Sequence, residues 1–244
     1  MVEAITFYAL FAWLLAFREG REMVRSKTRF EWLLDTANLL IQGLAIPALQ
    51  IGLYFILLKA LLPDIQGILK LSWLGGFLLN FIFVDYLYYW NHRLFHSKKL
   101  FPVHLVHHSV TQMDVMATSR NTLWTSFLIV YLWANGLFLY LTDFNAGYLV
   151  AMSLSACLDL WKHSSLMHSR PEWQMALSKY LFVMTPLDHA WHHAEKLNYN
   201  FGANLNLFDK LHGTFTQESA YPARLGVKHR LTPFQQLLFP FRAK

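Results

Sequence analysis

The stretch Asp85 to His108, DYLYYWNHRLFHSKKLFPVHLVHH, decides how the rest of this chain is read. An apolar run is ending where it begins, and its last seventeen residues hold five histidines: His92, His96, His104, His107 and His108. His92 and His96 are four apart, which on a helix puts both rings on one face about 6 Å apart along the axis. Asp85, seven residues before His92, shares that face and is expected to accept the free ring N–H of a ligating histidine. Histidines gathered where an apolar helix runs out point to a metal site at a membrane surface.

Composition agrees with that placement. Of 244 residues, 55 % are hydrophobic and 16 % aromatic, which is high for a water-soluble chain. Runs near twenty residues match the roughly 30 Å of hydrocarbon that a helix rising about 1.5 Å per residue must cross. The expected fold is therefore an all-α integral membrane protein, a transmembrane helix bundle with a histidine-rich cytosolic helical cap. The net charge of +6 is spread over the polar segments and forms no stripe, so a membrane's positive-inside bias explains it better than nucleic acid does. The single Cys157 excludes a disulfide within the chain and a C-x-x-C-H haem attachment.

Residues 2–17 are apolar apart from Glu3 and Thr6, and the charges Arg18, Arg21, Arg25, Lys27 and Arg29 follow them, the reverse of a secretory signal. A retained first helix is expected. Residues 32–62 exceed one crossing; their front, with Asp35 and Asn38, reads as interfacial, and Pro47 is expected to kink the remainder. After a polar turn at 63–70, residues 71–90 cross back, and 122–141 with 144–161 make a second hairpin around Thr142 and Asp143. Of the 21 Lys and Arg residues this plan leaves only Lys59 and Lys70 on the far side. Because Lys and Arg are retained in the cytoplasm, five crossings with the N-terminus outside put every histidine on the cytoplasmic face or at the cytoplasmic end of a helix. Three parts follow: membrane helices over 1–84, a core over 85–215 and a basic cytosolic tail over 216–244.

His104, His107 and His108 are spaced H-x-x-H-H, and so are His189, His192 and His193. On a helix the first histidine of each set lies on a common face with those at i+3 and i+4. The eight imidazoles of the three clusters exceed what one ion uses, since structural zinc takes four ligands and catalytic zinc three. Two metals are expected, and zinc, copper and iron all accept imidazole. A metal transporter would place ionisable ligands in mid-membrane, where these runs have almost none. A zinc hydrolase would want a carboxylate base beside its ligands, as in H-E-x-x-H, and only Asp188 stands next to either H-x-x-H-H.

With DYLYYWNHRLFH at the first site, HHS and Arg120 after the second, TPLDHAWHH at the third and NYNFGANLNLFDKLHGTF beyond it, the chain resembles the fatty acid hydroxylase/sterol desaturase superfamily of membrane di-iron oxygenases. The TP-x-x-H-x-x-HH arrangement and the closing D-x-L-x-GTF are most similar to the branch holding the sterol desaturases and alkylglycerol monooxygenase. The resemblance covers roughly 85–215. It implies two iron ions held by histidines, O2 as co-substrate, and hydroxylation of a lipid drawn from the bilayer (a sterol, fatty acyl or ether lipid), desaturation being the alternative from the same site. It also implies that the eight histidines are ligands and that His163 matches a further ligand. His168 stands five residues after His163, not four, and His212 lies where relatives carry an aromatic. Both, with Asp85 and Asp209, are expected to stand behind the ligands. Asn200 and Gly202 are expected to shape the turn before the closing motif, Arg120 to contact a headgroup or the interface, and His229 matches nothing. No G-x-G-x-x-G nucleotide fingerprint is present, so electrons are expected from a separate donor or a small reductant.

Overall fold

The computed structural model describes residues 2–194 and 196–242, and every regular element among them is helical, apart from one antiparallel bridge between Val183 and Leu205. Helix α1 is Val2–Ala16, apolar on nearly every side. It packs on a later helix, with Thr6 Oγ1 3.2 Å from Cys157 Sγ. Helix α2, Arg18–Ser26, is amphipathic and polar. Helix α3 runs from Arg29 to Leu61. Thr28 starts it with a capping box: its hydroxyl accepts the Glu31 N–H and the Glu31 carboxylate accepts the Thr28 N–H. Pro47 does not break α3, because widened π turns at Ile41–Ala45 and Leu49–Tyr54 flank it and accommodate its ring, which has no N–H to donate.

Helix α4 spans 73–95 in three continuous segments, capped at its start by the Ser72 hydroxyl on the Gly75 N–H and ending at His96. It runs unbroken through position 84/85. Short helix α5, Phe101–His104, turns the chain back toward the end of α4. Helices α6, Val130–Leu141, and α7, Ala146–Lys162, form the hairpin expected around Thr142 and Asp143. The expected crossing over 122–141 is α-helical only from Val130, with a 3₁₀ turn at Thr125–Leu128 before it. Residues 122–129 do not form an α-helix, because their polar groups have partners elsewhere: Gln42 Nε2 of α3 bonds Ser126 Oγ, and Thr122 and Thr125 pair through their hydroxyls. Helix α7 packs closely on α4, and a Cβ at Gly147 would overlap the Trp73 carbonyl oxygen.

The remaining helices, α8 (Pro171–Tyr180), α9 (Pro186–His192), α10 (Leu207–Leu211) and α11 (Pro233–Leu237), build the cap with the long turns between them. Among the described residues only α3 is long and apolar enough to cross a membrane; α1 and α6 are apolar but shorter. The α3 span is almost wholly unburied, and Leu40, Leu44, Ile51, Ile56, Trp73, Leu78, Phe83, Val150 and Leu154 lie exposed on α3, α4 and α7. Helix surface this apolar is not the core of a water-soluble domain. The residues expected to form a basic tail are partly internal: Leu231 joins Leu34, Leu105 and Val106 in one buried cluster.

Candidate metal centre

Nine histidines converge in two groups. His92, His96, His104, His108 and His192 make one; His107, His163, His189 and His193 make the other; within each group one nitrogen per ring lies within 4.8 Å of all the rest. Helix α4 delivers His92 and its terminal His96, α5 delivers His104, and a 3₁₀ turn delivers His107 and His108. His163 ends α7, and α9 with its terminal residue delivers His189, His192 and His193. The two H-x-x-H-H motifs divide in the same way. The i and i+4 members stay together, His104 with His108 and His189 with His193, and the i+3 member crosses to the other group. Steps of three and four residues on a helix differ by about 100°, so adjacent histidines face different points. The groups abut, with His108 and His193 stacked 4.5 Å apart.

The nitrogens are set for a cation. His92 Nδ1 donates to the Phe201 carbonyl at 2.8 Å and His192 Nδ1 to the Tyr199 carbonyl at 2.7 Å, which leaves both Nε2 atoms unprotonated. Those two lone pairs face each other at 3.1 Å. In the other group His163 Nδ1 donates to the Asp159 carbonyl at 2.8 Å and His107 Nδ1 to the Arg120 carbonyl at 3.2 Å, and their Nε2 atoms stand 3.4 Å apart. No hydrogen bond joins two bare nitrogens, whereas neighbouring ligands about 2.1 Å from one ion are roughly 3.0–3.4 Å apart. His96 Nε2 and both His108 nitrogens are buried without a hydrogen-bond partner among the described residues. Burial holds the rings neutral, with His96 and His107 pushed down to about 3, His163 to about 4, and His92, His104, His108, His189, His192 and His193 well below the usual imidazole range. Neutral imidazole is the form that binds metal.

Different supports stand behind the two groups. Behind the first runs the turn 197–201, whose Leu197, Tyr199 and Phe201 carbonyls accept from His96, His192 and His92. Asn200, at φ +58°, ties this turn to the Asp188 and Thr216 carbonyls. The Asp209 carboxylate accepts the Phe201 and Gly202 N–H groups at 2.8 Å, and a Cβ at Gly202 would overlap the Leu205 carbonyl oxygen. Asp85 accepts the Asn204 and Leu205 N–H groups and the Tyr131 hydroxyl. Neither carboxylate therefore touches a ring N–H: Asp209 grips the backbone at Phe201, whose carbonyl orients the His92 ring, and Asp85 grips the backbone at 204–205 that follows it.

Behind the second group stands a buried ion network. Arg120 is neither a headgroup contact nor an interfacial anchor, because its guanidinium grips Asp35 of α3 in a fork at 2.6 and 2.7 Å and Glu31 at 3.3 Å. Lys27 adds bonds of 2.6 Å to Asp35 and 2.8 Å to Asp114. These pairs span up to 89 positions of sequence and were not foreseen, although Asp35 inside an apolar run was a usable signal. Asp159 and the buried Lys162, paired at 2.9 Å, are likewise unforeseen.

His168 and His212 belong to neither group. The His168 ring packs on Tyr221 at 4.1 Å, and the His212 ring lies among Tyr86, Tyr89 and Trp90, so each fills an aromatic pocket of the cap. His229 Nδ1 accepts the Leu231 N–H. Asp188 is occupied in a capping box with Thr185, at the start of the helix rather than over the rings. The C-terminal segment closes the site: Gly226 N–H and Val227 N–H donate to the backbone carbonyls of His193 and His108 at 3.1 and 2.7 Å. Gly226 has φ +87°, and a Cβ there would crowd the Val110 carbonyl oxygen. Gly226→Val is expected to lower stability by about 1–3 kcal/mol, read as a fall in the thermal unfolding midpoint; an unchanged midpoint would mean that this closure is dispensable.

A family model described as fatty acid hydroxylase matches residues 77–214. Alkylglycerol monooxygenase of Homo sapiens is 24 % identical over 168 residues, 66 % of this chain and 35 % of its own length. Alkylglycerol monooxygenase of Xenopus tropicalis is 24 % identical over 164 residues, 64 % of this chain and 34 % of its own. The chain thus spans about a third of the length of these relatives. No solved structure matches it.

Proposed function

Because the chain belongs to the fatty acid hydroxylase family, we propose that it is a membrane-bound lipid oxygenase in which His92, His96, His104, His108 and His192 hold one iron and His107, His163, His189 and His193 hold a second. The observation carrying this reading is the pair of abutting all-histidine groups whose bare, buried Nε2 atoms face each other about 3 Å apart. Unactivated C–H bonds offer neither an acidic proton nor a leaving group, and a bound pair of irons supplies the O2-derived oxidising power that acid and base groups lack. The chain's own residues keep the imidazoles neutral, fix their tautomers through the backbone carbonyls, and close the site with the 226–227 segment. The substrate is a lipid, and hydroxylation is the outcome. Electrons come from a separate donor. The exposed apolar surfaces of α1, α3, α4 and α7 support several passes through a bilayer, and the skew of Lys and Arg supports a cytoplasmic metal centre.

Purified protein is expected to hold two irons per chain and to consume O2 only with a reductant. His107→Ala removes the histidine that crosses from the first H-x-x-H-H to the second group, so it is expected to abolish O2 uptake and to lower iron from two to one per chain. Stoichiometric zinc with no O2 uptake in the wild type would overturn the reading.

A further inference from the structure

The C-terminal segment carries aromatic and basic surface that the metal centre does not use. After Glu218 the sequence has no Asp or Glu, while Arg224, Lys228, Arg230, Arg242 and Lys244 are basic. Of these, Arg224, Lys228 and Arg230 are exposed. Phe234, Phe239 and Phe241 are 60, 53 and 54 % accessible. The rings of Phe234 and Phe239 lie 5.7 Å apart, and with Thr232 and Gln235 they line an open hollow of about 340 Å³. Exposed aromatic side chains gathered in this way, rimmed by like charge, mark an interaction surface.

The partners of this segment fix its level in the molecule. Leu237 packs on the buried cluster of Leu34, Leu105, Val106 and Leu231. The Leu123 N–H donates to the Leu237 carbonyl at 3.0 Å, the Trp124 indole N–H donates to the Leu238 carbonyl at 2.8 Å, and the Trp124 and Phe241 rings stack 5.9 Å apart. Helix α3 has 33 residues, about 50 Å against roughly 30 Å of hydrocarbon, so part of it stands outside the bilayer. Its acidic residues, Glu31 and Asp35, are in the first two turns, which makes that end the outer one. Just beyond them, Asn38 Nδ2 donates to the Asn121 carbonyl and Gln42 Nε2 to Ser126 Oγ, beside Leu40 and Leu44, which lie exposed on α3. Residues 121–126 therefore sit where α3 enters hydrocarbon, the depth at which tryptophan collects. Residues 237–241 are bonded and stacked to Trp124 at that same level.

We propose that the C-terminal segment 228–241 is an in-plane membrane anchor: Phe234, Phe239 and Phe241 enter the cytoplasmic leaflet, and Lys228 and Arg230 take its anionic headgroups. This rests on the multi-pass membrane reading above and adds a lipid contact that is separate from the substrate. Charge decides for an anionic leaflet, because the segment is basic with no acidic residue of its own, and each Lys or Arg gains from a negative surface potential. Apolar insertion and basic attraction are two signals acting together, which is what stable surface binding requires. The anchor follows directly on the Gly226 and Val227 N–H groups that bond the His193 and His108 carbonyls. Leaflet binding therefore holds this closure down on the histidines.

The test uses the full, metal-loaded chain in nanodiscs of phosphatidylcholine with or without phosphatidylserine. In a Cys157→Ser background, an environment-sensitive fluorophore is attached at Phe239→Cys and, for reference, at Leu154→Cys on the exposed face of α7. Both labels are expected to be quenched by nitroxide-tailed lipid more than by iodide in phosphatidylserine discs. Iodide quenching at position 239 with lipid quenching at 154 would overturn the anchor, leave the multi-pass reading standing and assign the phenyl surface to a protein partner. Iodide quenching at both positions would overturn the multi-pass reading and the anchor with it. Loss of iron to a soluble chelator reads the closure. The wild type is expected to lose iron severalfold more slowly in discs containing phosphatidylserine, and Lys228→Glu combined with Arg230→Glu is expected to remove that difference. Equal rates for the wild type in both discs, or a phosphatidylserine effect that survives the double substitution, would overturn the proposal.

Discussion

Asp35→Asn is expected to destabilise the protein by about 3–5 kcal/mol and to deplete the second histidine group of metal before the first. Both oxygens of this carboxylate are committed, Oδ1 to Arg120 at 2.6 Å and Oδ2 to Arg120 at 2.7 Å and Lys27 at 2.6 Å, and the side chains of all three residues are almost wholly buried. Neutralising it leaves two buried cations with Glu31 and Asp114 as their remaining partners. An uncompensated buried charge is what makes breaking such a network costly; exposed pairs such as Arg18 with Glu22 contribute little. The selectivity comes from the backbone. Arg120 also presents its carbonyl to His107 Nδ1, whereas His92, His96 and His192 rest on the 197–201 turn and do not depend on α3. Metal analysis alongside thermal unfolding checks the prediction: iron should fall toward one per chain. Loss of both metals together, or of neither, would show that the network does not position His107.

That α3, which lies outside the matched region 77–214, stands behind His107, a proposed metal ligand, could not be read from the sequence. What was legible followed from short-range periodicity. The H-x-x-x-H and H-x-x-H-H spacings picked out eight of the nine histidines, the family resemblance added His163, and the apolar runs located α1, α3, α4 and α7 to within a few residues. What was not legible depended on partners remote in sequence. Spacing shows that i+3 and i+4 residues share a face, but the roughly 100° between them decides which of the two groups each ring joins, and that depends on how the helices pack. The ring N–H acceptors proved to be backbone carbonyls, which every residue has and no side-chain pattern marks. Asp85 was placed on the correct face and assigned the wrong acceptor role for that reason. Residues 122–129 looked like the start of a helix because Leu123, Trp124, Phe127 and Leu128 imitate an apolar run, while the partner of Ser126 lies 84 positions away.

Stripped of metal, the chain is expected to unfold as the pH falls from 7 toward 5.5, whereas the metal-loaded protein holds. All nine imidazoles are depressed by burial, to about 3 for His96 and His107, to about 4 for His163 and well below the ordinary range for the rest. In the unfolded chain each titrates near about 6.5. A depressed group refuses in the fold a proton that it accepts when unfolded, so its contribution is intact above about 6.5 and is lost as the pH drops below that value. Each ring then loses about 1.4 kcal/mol per pH unit, and nine together lose on the order of 10 kcal/mol over the first unit, comparable to the whole stability of an ordinary domain. Asp188 and Asp209, both raised to about 6 by burial, and Asp114, raised for the same reason, act in the opposite direction as they protonate, but the imidazoles outnumber them. Bound metal needs the same deprotonated nitrogens and adds its binding free energy to the folded state, which moves the acid limb to lower pH. Circular dichroism across this range, with chelator and with iron, should give midpoints well separated in pH. Coincident midpoints would mean that the imidazoles are held neutral by something other than the closed, dry site, and the fit of the two groups to metal would lose its electrostatic basis.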